Sequence, residues 1–134
     1  MKSRLIYWLT YAGMWLLALL PFKVLYILSD GLCFLMHHVV HYRRRVVRAN
    51  LCNAFPEKSA AELRDIEREF YRYICDYMLE EVKMLRMSFK ELCRRMEYDN
   101  KEEYLAMIEK HGGIVLLIPH YANFEWITGM SSIM

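Results

Sequence analysis

The chain has 134 residues and a formal net charge of +2, which is room for one domain at most. Its apolar fraction of 56% exceeds the roughly 45–50% usual in soluble domains. No basic run is interleaved with aromatic stacking platforms, which argues against a nucleic-acid partner.

Charge is unevenly spread. Residues 1–48 hold seven Lys/Arg against one acid, Asp30, while residues 49–134 hold eleven against fifteen acids. A basic, apolar N-terminal third suits contact with anionic lipid. Cys33, Cys52, Cys75 and Cys93 form no C-x-x-C pair, so a zinc ribbon is not expected. Their scatter over apolar or helical positions reads as reduced, partly buried thiols in a cytoplasm-facing protein.

Leu5 to Phe22 is uncharged and flanked by Lys2, Arg4 and Lys23. That reaches the lower limit for a spanning helix, and Trp8, Tyr11 and Trp15 suit a membrane interface. Without an A-x-A-like cleavage site it does not read as a signal peptide. Three readings stay open: a span, a helix lying in the cytoplasmic leaflet, or the core helix of a soluble domain. Val24 to Tyr42 is a second apolar stretch that Ser29-Asp30-Gly31 is expected to break into pieces too short to span. His37 and His41 share a helix face, with His38 adjacent, but no acid or cysteine nearby offers a third ligand, so no metal is expected. Arg44, Arg45 and Arg48 follow, beside Arg43. They suit a solvated basic face, headgroup anchoring or bidentate recognition of phosphate.

Phe55-Pro56-Glu57-Lys58 reads as a turn. Ser59 with Glu62 makes a capping box that opens a long helix. Its apolar stripe of Leu63, Ile66, Phe70, Tyr73/Ile74, Tyr77 and Val82 is expected to face a core. Ser88 with Glu91 starts a short helix. Asn100 with Glu103 starts another, which Gly112 ends. Met96-Glu97-Tyr98 reads as a short strand between them.

Ile114 to Ile118 reads as a buried strand that Pro119 ends. A tight turn bearing His120 follows, then a helix with Asn123 as N-cap and Glu125 in its first turn. Five positions along a helix rotate by about 140°, so His120 and Glu125 meet only if the histidine stands before the helix, as Pro119 favours. The pair has the equipment of a general base: an imidazole titrating near neutral pH and a carboxylate to fix its tautomer. A loop histidine and a helix-cap acid with no joint role is the other reading. A strand apolar on both faces expects neighbouring strands and helices. The expectation is therefore an α/β fold of which this chain holds the first part.

The block from Gly112-Gly113 through Pro119-His120 to Glu125-Trp126 resembles the signature of the bacterial lipid A late acyltransferases. These belong to a larger superfamily with an H-x4-D/E motif. Arg43-Arg44-Arg45-Val-Val-Arg48-Ala-Asn50-Leu51, running on to Phe55-Pro56-Glu57, is similar to the family's N-terminal stretch. Pro119 and Ala122 stand where many members have Gly, and Phe124 where many have Trp. The resemblance covers nearly the whole chain but about half the length of family members. It implies membrane-associating helices in residues 1–42 and the N-terminal part of an acyltransferase domain in residues 43–134, ending a turn or two into the helix after the motif.

It also implies transfer of a fatty acyl group from acyl carrier protein to a hydroxyl of a lipid A precursor at the cytoplasmic face of the bacterial inner membrane. His120 and Glu125 would be catalytic, Arg44, Arg45 and Arg48 would bind substrate, and no metal or organic cofactor is implied. The alternatives are a catalytically inactive membrane-binding fragment and a glycerophospholipid acyltransferase. For the latter, Asp is expected in place of Glu125.

Overall fold

A computed structural model describes residues 2–129, with the side chains of residues 3–127. Six α-helices form in chain order: α1 Lys2–Leu19, α2 Phe22–Phe34, α3 Arg44–Ala54, α4 Ala60–Met84, α5 Phe89–Arg95 and α6 Lys101–His111. A π-helical segment, Leu35–Val40, extends α2, and a 3₁₀ helix covers Phe124–Gly129. The chain divides into two compact units, Met1–Lys83 and the residues from Met84 onward.

The expected α/β fold is not found. Among the described residues there is no strand or sheet. Residues 113–119 lie outside any helix or strand, and so do residues 96–98. A β-strand exists only through a hydrogen-bonded neighbour, and no such partner accompanies either segment. Val115 and Leu117 are accordingly about nine-tenths exposed, at 90% and 89%.

Local signals place the helix ends. Lys58 N–H donates to the Phe55 carbonyl at 3.1 Å, closing the turn around Pro56. The Ser59 amide donates to Glu62 Oε2 at 2.8 Å and the Glu62 amide to Ser59 Oγ at 3.3 Å, the reciprocal capping box. Ser88 Oγ accepts from the Glu91 amide at 3.2 Å. Asn100 flanks α6 without a side-chain cap bond, and Gly112 ends it in the left-handed region at φ 74°.

Two helical expectations in the N-terminal region need correcting. The uncharged run Leu5–Phe22 is not one helix, because α1 ends at Leu19 and Pro21 precedes α2. Ser29-Asp30-Gly31 does not break α2, because its residues lie well inside a helix that packs on α4. Among the described residues, Phe22–Val40 is thus the one helix long and apolar enough to cross a membrane, by length and composition. α1 is not a buried core helix: Leu5, Ile6, Trp8 and Leu9 are all more than 60% exposed, while Ala18 near its C-terminus is fully buried.

In the Met1–Lys83 unit, α2 with its π extension and α4 run antiparallel. Tyr26 hydroxyl donates to Glu80 at 2.6 Å at one end, and His37 meets Glu67 at 3.3 Å at the other. Lys83 Nζ donates to the carbonyls of Ala18 and Leu20, each at 2.8 Å. It thereby satisfies acceptors that the end of α1 leaves unpaired and places a cation at that dipole's negative end.

The face of α4 that is buried also differs from the expected stripe. Glu67, Tyr71 and Cys75 are buried, one turn apart, whereas Phe70 and Tyr73 are 39% and 45% exposed. The four thiols are free. Burial, the largest cause, pushes the Cys75 thiol up to about 11.

Candidate functional site

The motif region lies in the unit from Met84 onward. Tyr121 N–H donates to the Pro119 carbonyl at 2.8 Å, a three-residue turn with His120 at its centre. Ala122 takes a positive φ of 51°, which redirects the chain into the 3₁₀ helix beginning at Phe124. Asn123 precedes that helix, its carbonyl accepting from the Trp126 amide at 3.1 Å. Glu125 falls in the first turn, where the exposed amides and the helix dipole favour an anion. The histidine therefore stands before the helix, the arrangement that H-x4-E spacing requires.

His120 and Glu125 are exposed, while Trp126 is buried. The imidazole packs on the Phe124 ring with centroids 4.4 Å apart at 55°. Sequence reasoning missed Phe124 as the surface against which His120 rests. The signal available was an aromatic four residues after the histidine.

The arginine-rich stretch lies in the other unit. Arg44 and Arg48 are one turn apart on α3 and so share a face. Arg44 Nε donates to Glu67 Oε1 and Arg48 Nε to Glu67 Oε2, each at 2.7 Å. The Glu67 side chain is 2% exposed, and Arg45 is exposed. His37 Nε2 is 3.3 Å from Glu67 Oε1, and His37 Nδ1 is 3.3 Å from His38 Nε2. A carboxylate only accepts, so His37 Nε2 carries a proton and Nδ1 accepts from His38. Tyr71 hydroxyl donates to the Tyr42 carbonyl beside this cluster.

Burial is the largest influence on the Glu67 carboxyl and works to raise its pKa. The hydrogen bonds and charges of Arg48 and Arg44 together outweigh it and hold the group below its usual value. Burial, again the largest cause, pushes His37 down despite the Glu67 bond. Sequence reasoning missed Glu67 altogether. The signal available was a lone acid four residues after Leu63 and four before Tyr71, within an otherwise apolar register. Among the described residues no group of three His, Cys, Asp or Glu is arranged to hold a metal ion.

The chain is 28% identical over 122 residues to the lipid A biosynthesis lauroyltransferase of Escherichia coli (strain K12), with 89% of this chain and 40% of the relative covered. The chain thus spans well under half the length of that relative. No solved structure matches it significantly. The model of the bacterial lipid A biosynthesis acyltransferases matches residues 1–130, and with the His120 turn and its following acid inside that span, the chain belongs to this family.

Proposed function

We propose that the protein transfers a fatty acyl group from acyl carrier protein to a hydroxyl of a lipid A precursor, with His120 as general base and Glu125 as its orienting acid. The observation that carries this reading is the turn at Pro119–Tyr121, which sets an exposed imidazole immediately before a helix whose first turn bears a carboxylate. Family membership supports the reaction class.

His120 takes the hydroxyl proton as the oxygen attacks the thioester carbonyl. A tetrahedral oxyanion forms, then collapses with cleavage of the carbon–sulfur bond. The imidazolium returns the proton to the departing thiolate, so the products are an ester and a free thiol. Glu125 holds the tautomer and stabilises the transient imidazolium.

Arg44, Arg45 and Arg48 recognise phosphate on the acceptor. A guanidinium carries five N–H donors, so the Nε bonds of Arg44 and Arg48 to Glu67 leave capacity for an anion. The reaction runs at the cytoplasmic face of the inner membrane, with α1 and α2 lying on the bilayer rather than crossing it. α4 packs along Phe22–Val40 through Tyr26–Glu80 and His37–Glu67. It carries exposed charges at Asp65, Arg68, Glu69 and Arg72, and each charge drawn to the bilayer centre costs about 2.5–3.5 kcal/mol.

The test is His120→Ala, assayed with acyl carrier protein thioester and a lipid A precursor. Loss of transfer by about 10²–10⁴-fold with membrane binding intact is expected. Near-normal turnover would remove the base assignment.

A further inference from the structure

Helices α2 and α4 each turn one row of residues toward the other. On α2 the buried positions are Phe22, Leu25 and Ser29, and Cys33 continues that row one turn later. On α4 they are Glu67, Tyr71 and Cys75. Between the Tyr26–Glu80 and His37–Glu67 contacts the two rows bring two thiols together. The Cys75 S–H donates to the Cys33 sulfur. Cys75 is fully buried, whereas Cys33 is partly exposed.

The two thiols are not equivalent. Burial is the largest influence on Cys33 and pushes it up, with Asp30 and Asp76 adding to it, but the Arg72 guanidinium works the other way and favours its thiolate. Cys75 is pushed further, to about 11, by burial first and then by Cys33 and Asp76. An accessible thiol beside a cation is the one that meets an oxidant, and a second thiol at hand resolves the product.

We propose that Cys33 and Cys75 form a redox pair, which hydrogen peroxide closes into an intramolecular disulfide that fastens α2 to α4. The Cys33 thiolate attacks one peroxide oxygen and the O–O bond breaks, which leaves a sulfenic acid and a hydroxide that is protonated to water. The Cys75 thiolate then attacks the Cys33 sulfur. The S–S bond forms, the S–O bond breaks, and hydroxide leaves as a second water. Two thiols lose two electrons to one peroxide, and the products are one disulfide and two waters.

The full chain in amphipol would be treated with hydrogen peroxide, its remaining thiols alkylated, and its peptides mapped without reduction. The main cross-link should join Cys33 to Cys75, which are 42 residues apart. In denaturant the map should shift to Cys33–Cys52 and Cys75–Cys93, separated by 19 and 18 residues, because shorter loops close at lower entropic cost. Formation of the native cross-link should speed up about tenfold per pH unit from neutrality, as the thiolate fraction does below its pKa. Hydrogen exchange in α2 and α4 should slow on oxidation and recover with dithiothreitol. In Cys75→Ala, dimedone should trap the sulfenic acid on Cys33. A map the same in native buffer and denaturant, Cys33 and Cys75 both alkylated after the exposed Cys52 is fully oxidised, or exchange unchanged by oxidation would each overturn the proposal. None of these three readings needs a variant to fold.

Discussion

His37 is buried with Glu67 at 3.3 Å, whereas His120 stands exposed at a turn, five residues before Glu125. The first is the closer match to a histidine–carboxylate pair as usually drawn. Yet one ring nitrogen of His37 faces Glu67 and the other faces His38, and Glu67 is shared with two guanidiniums. Neither ring nitrogen of His37 is left to a substrate. It joins α2, α3 and α4, and its histidine is a structural group. The exposed imidazole on Phe124 has access to a hydroxyl from outside. Burial and partner count, more than the presence of a nearby acid, separate the proposed base from a brace.

The sharpest way to break this contrast is to exchange effects. His120→Ala should lower transfer by about 10²–10⁴-fold while shifting stability by no more than about 0.5 kcal/mol, as for an exposed residue. Paired kinetics and thermal melts read both. Glu67→Ala should do the reverse within its own unit. It leaves Arg44 and Arg48 facing an emptied buried site, and the loss should be about 3 kcal/mol in denaturant unfolding, the low end for a broken buried pair, because the arginine side chains are 28% and 49% exposed. A loss below about 1 kcal/mol would mean that the cluster does not brace the fold.

Glu125→Gln sharpens the functional half. It should reduce kcat less than His120→Ala does, because it disturbs the orientation of the imidazole rather than removing the base. A kcat equal to that of the parent chain would detach Glu125 from the base. Ser59→Ala should cost about 1 kcal/mol by removing one half of the capping box, readable by melting of the helical signal.

Acid tests the cluster without mutation. His37 is held below its unfolded pKa, so the unfolded chain binds its proton first. Stability should therefore fall as pH drops from about 6.5. Glu67 is likewise lowered. Its contribution is present above the unfolded carboxylate value and is lost as pH falls through the folded one. Unfolding free energies measured between pH 7 and pH 3 should decline in both ranges, and a rise on acidification below 6.5 would contradict the neutral, buried assignment of His37.

Several features were legible in the residues alone because the interactions behind them span a few positions. The capping box at Ser59–Glu62, the Ser88 cap and the Gly112 terminus all join residues within one turn. The turn carrying His120 follows from Pro119 and the apolar run before it. The expected strands depended on partners outside their own segments, and the described residues supply none. The helix expected after the motif is described only to Gly129, and its continuation toward Met134 lies outside the described residues.

What the chain's order of residues determined by itself was local: where helices start, where they stop, and that a histidine would sit on a bend ahead of an acid. Tertiary structure alone decided which side of α4 turns inward. The partners of Glu67 lie 19, 23 and 30 residues away, so only packing of α2 and α3 against that helix could bury an acid where apolar periodicity favoured Phe70. Helix ends answer to hydrogen bonds between near neighbours, whereas a buried charge answers to whatever distant groups arrive to neutralise it.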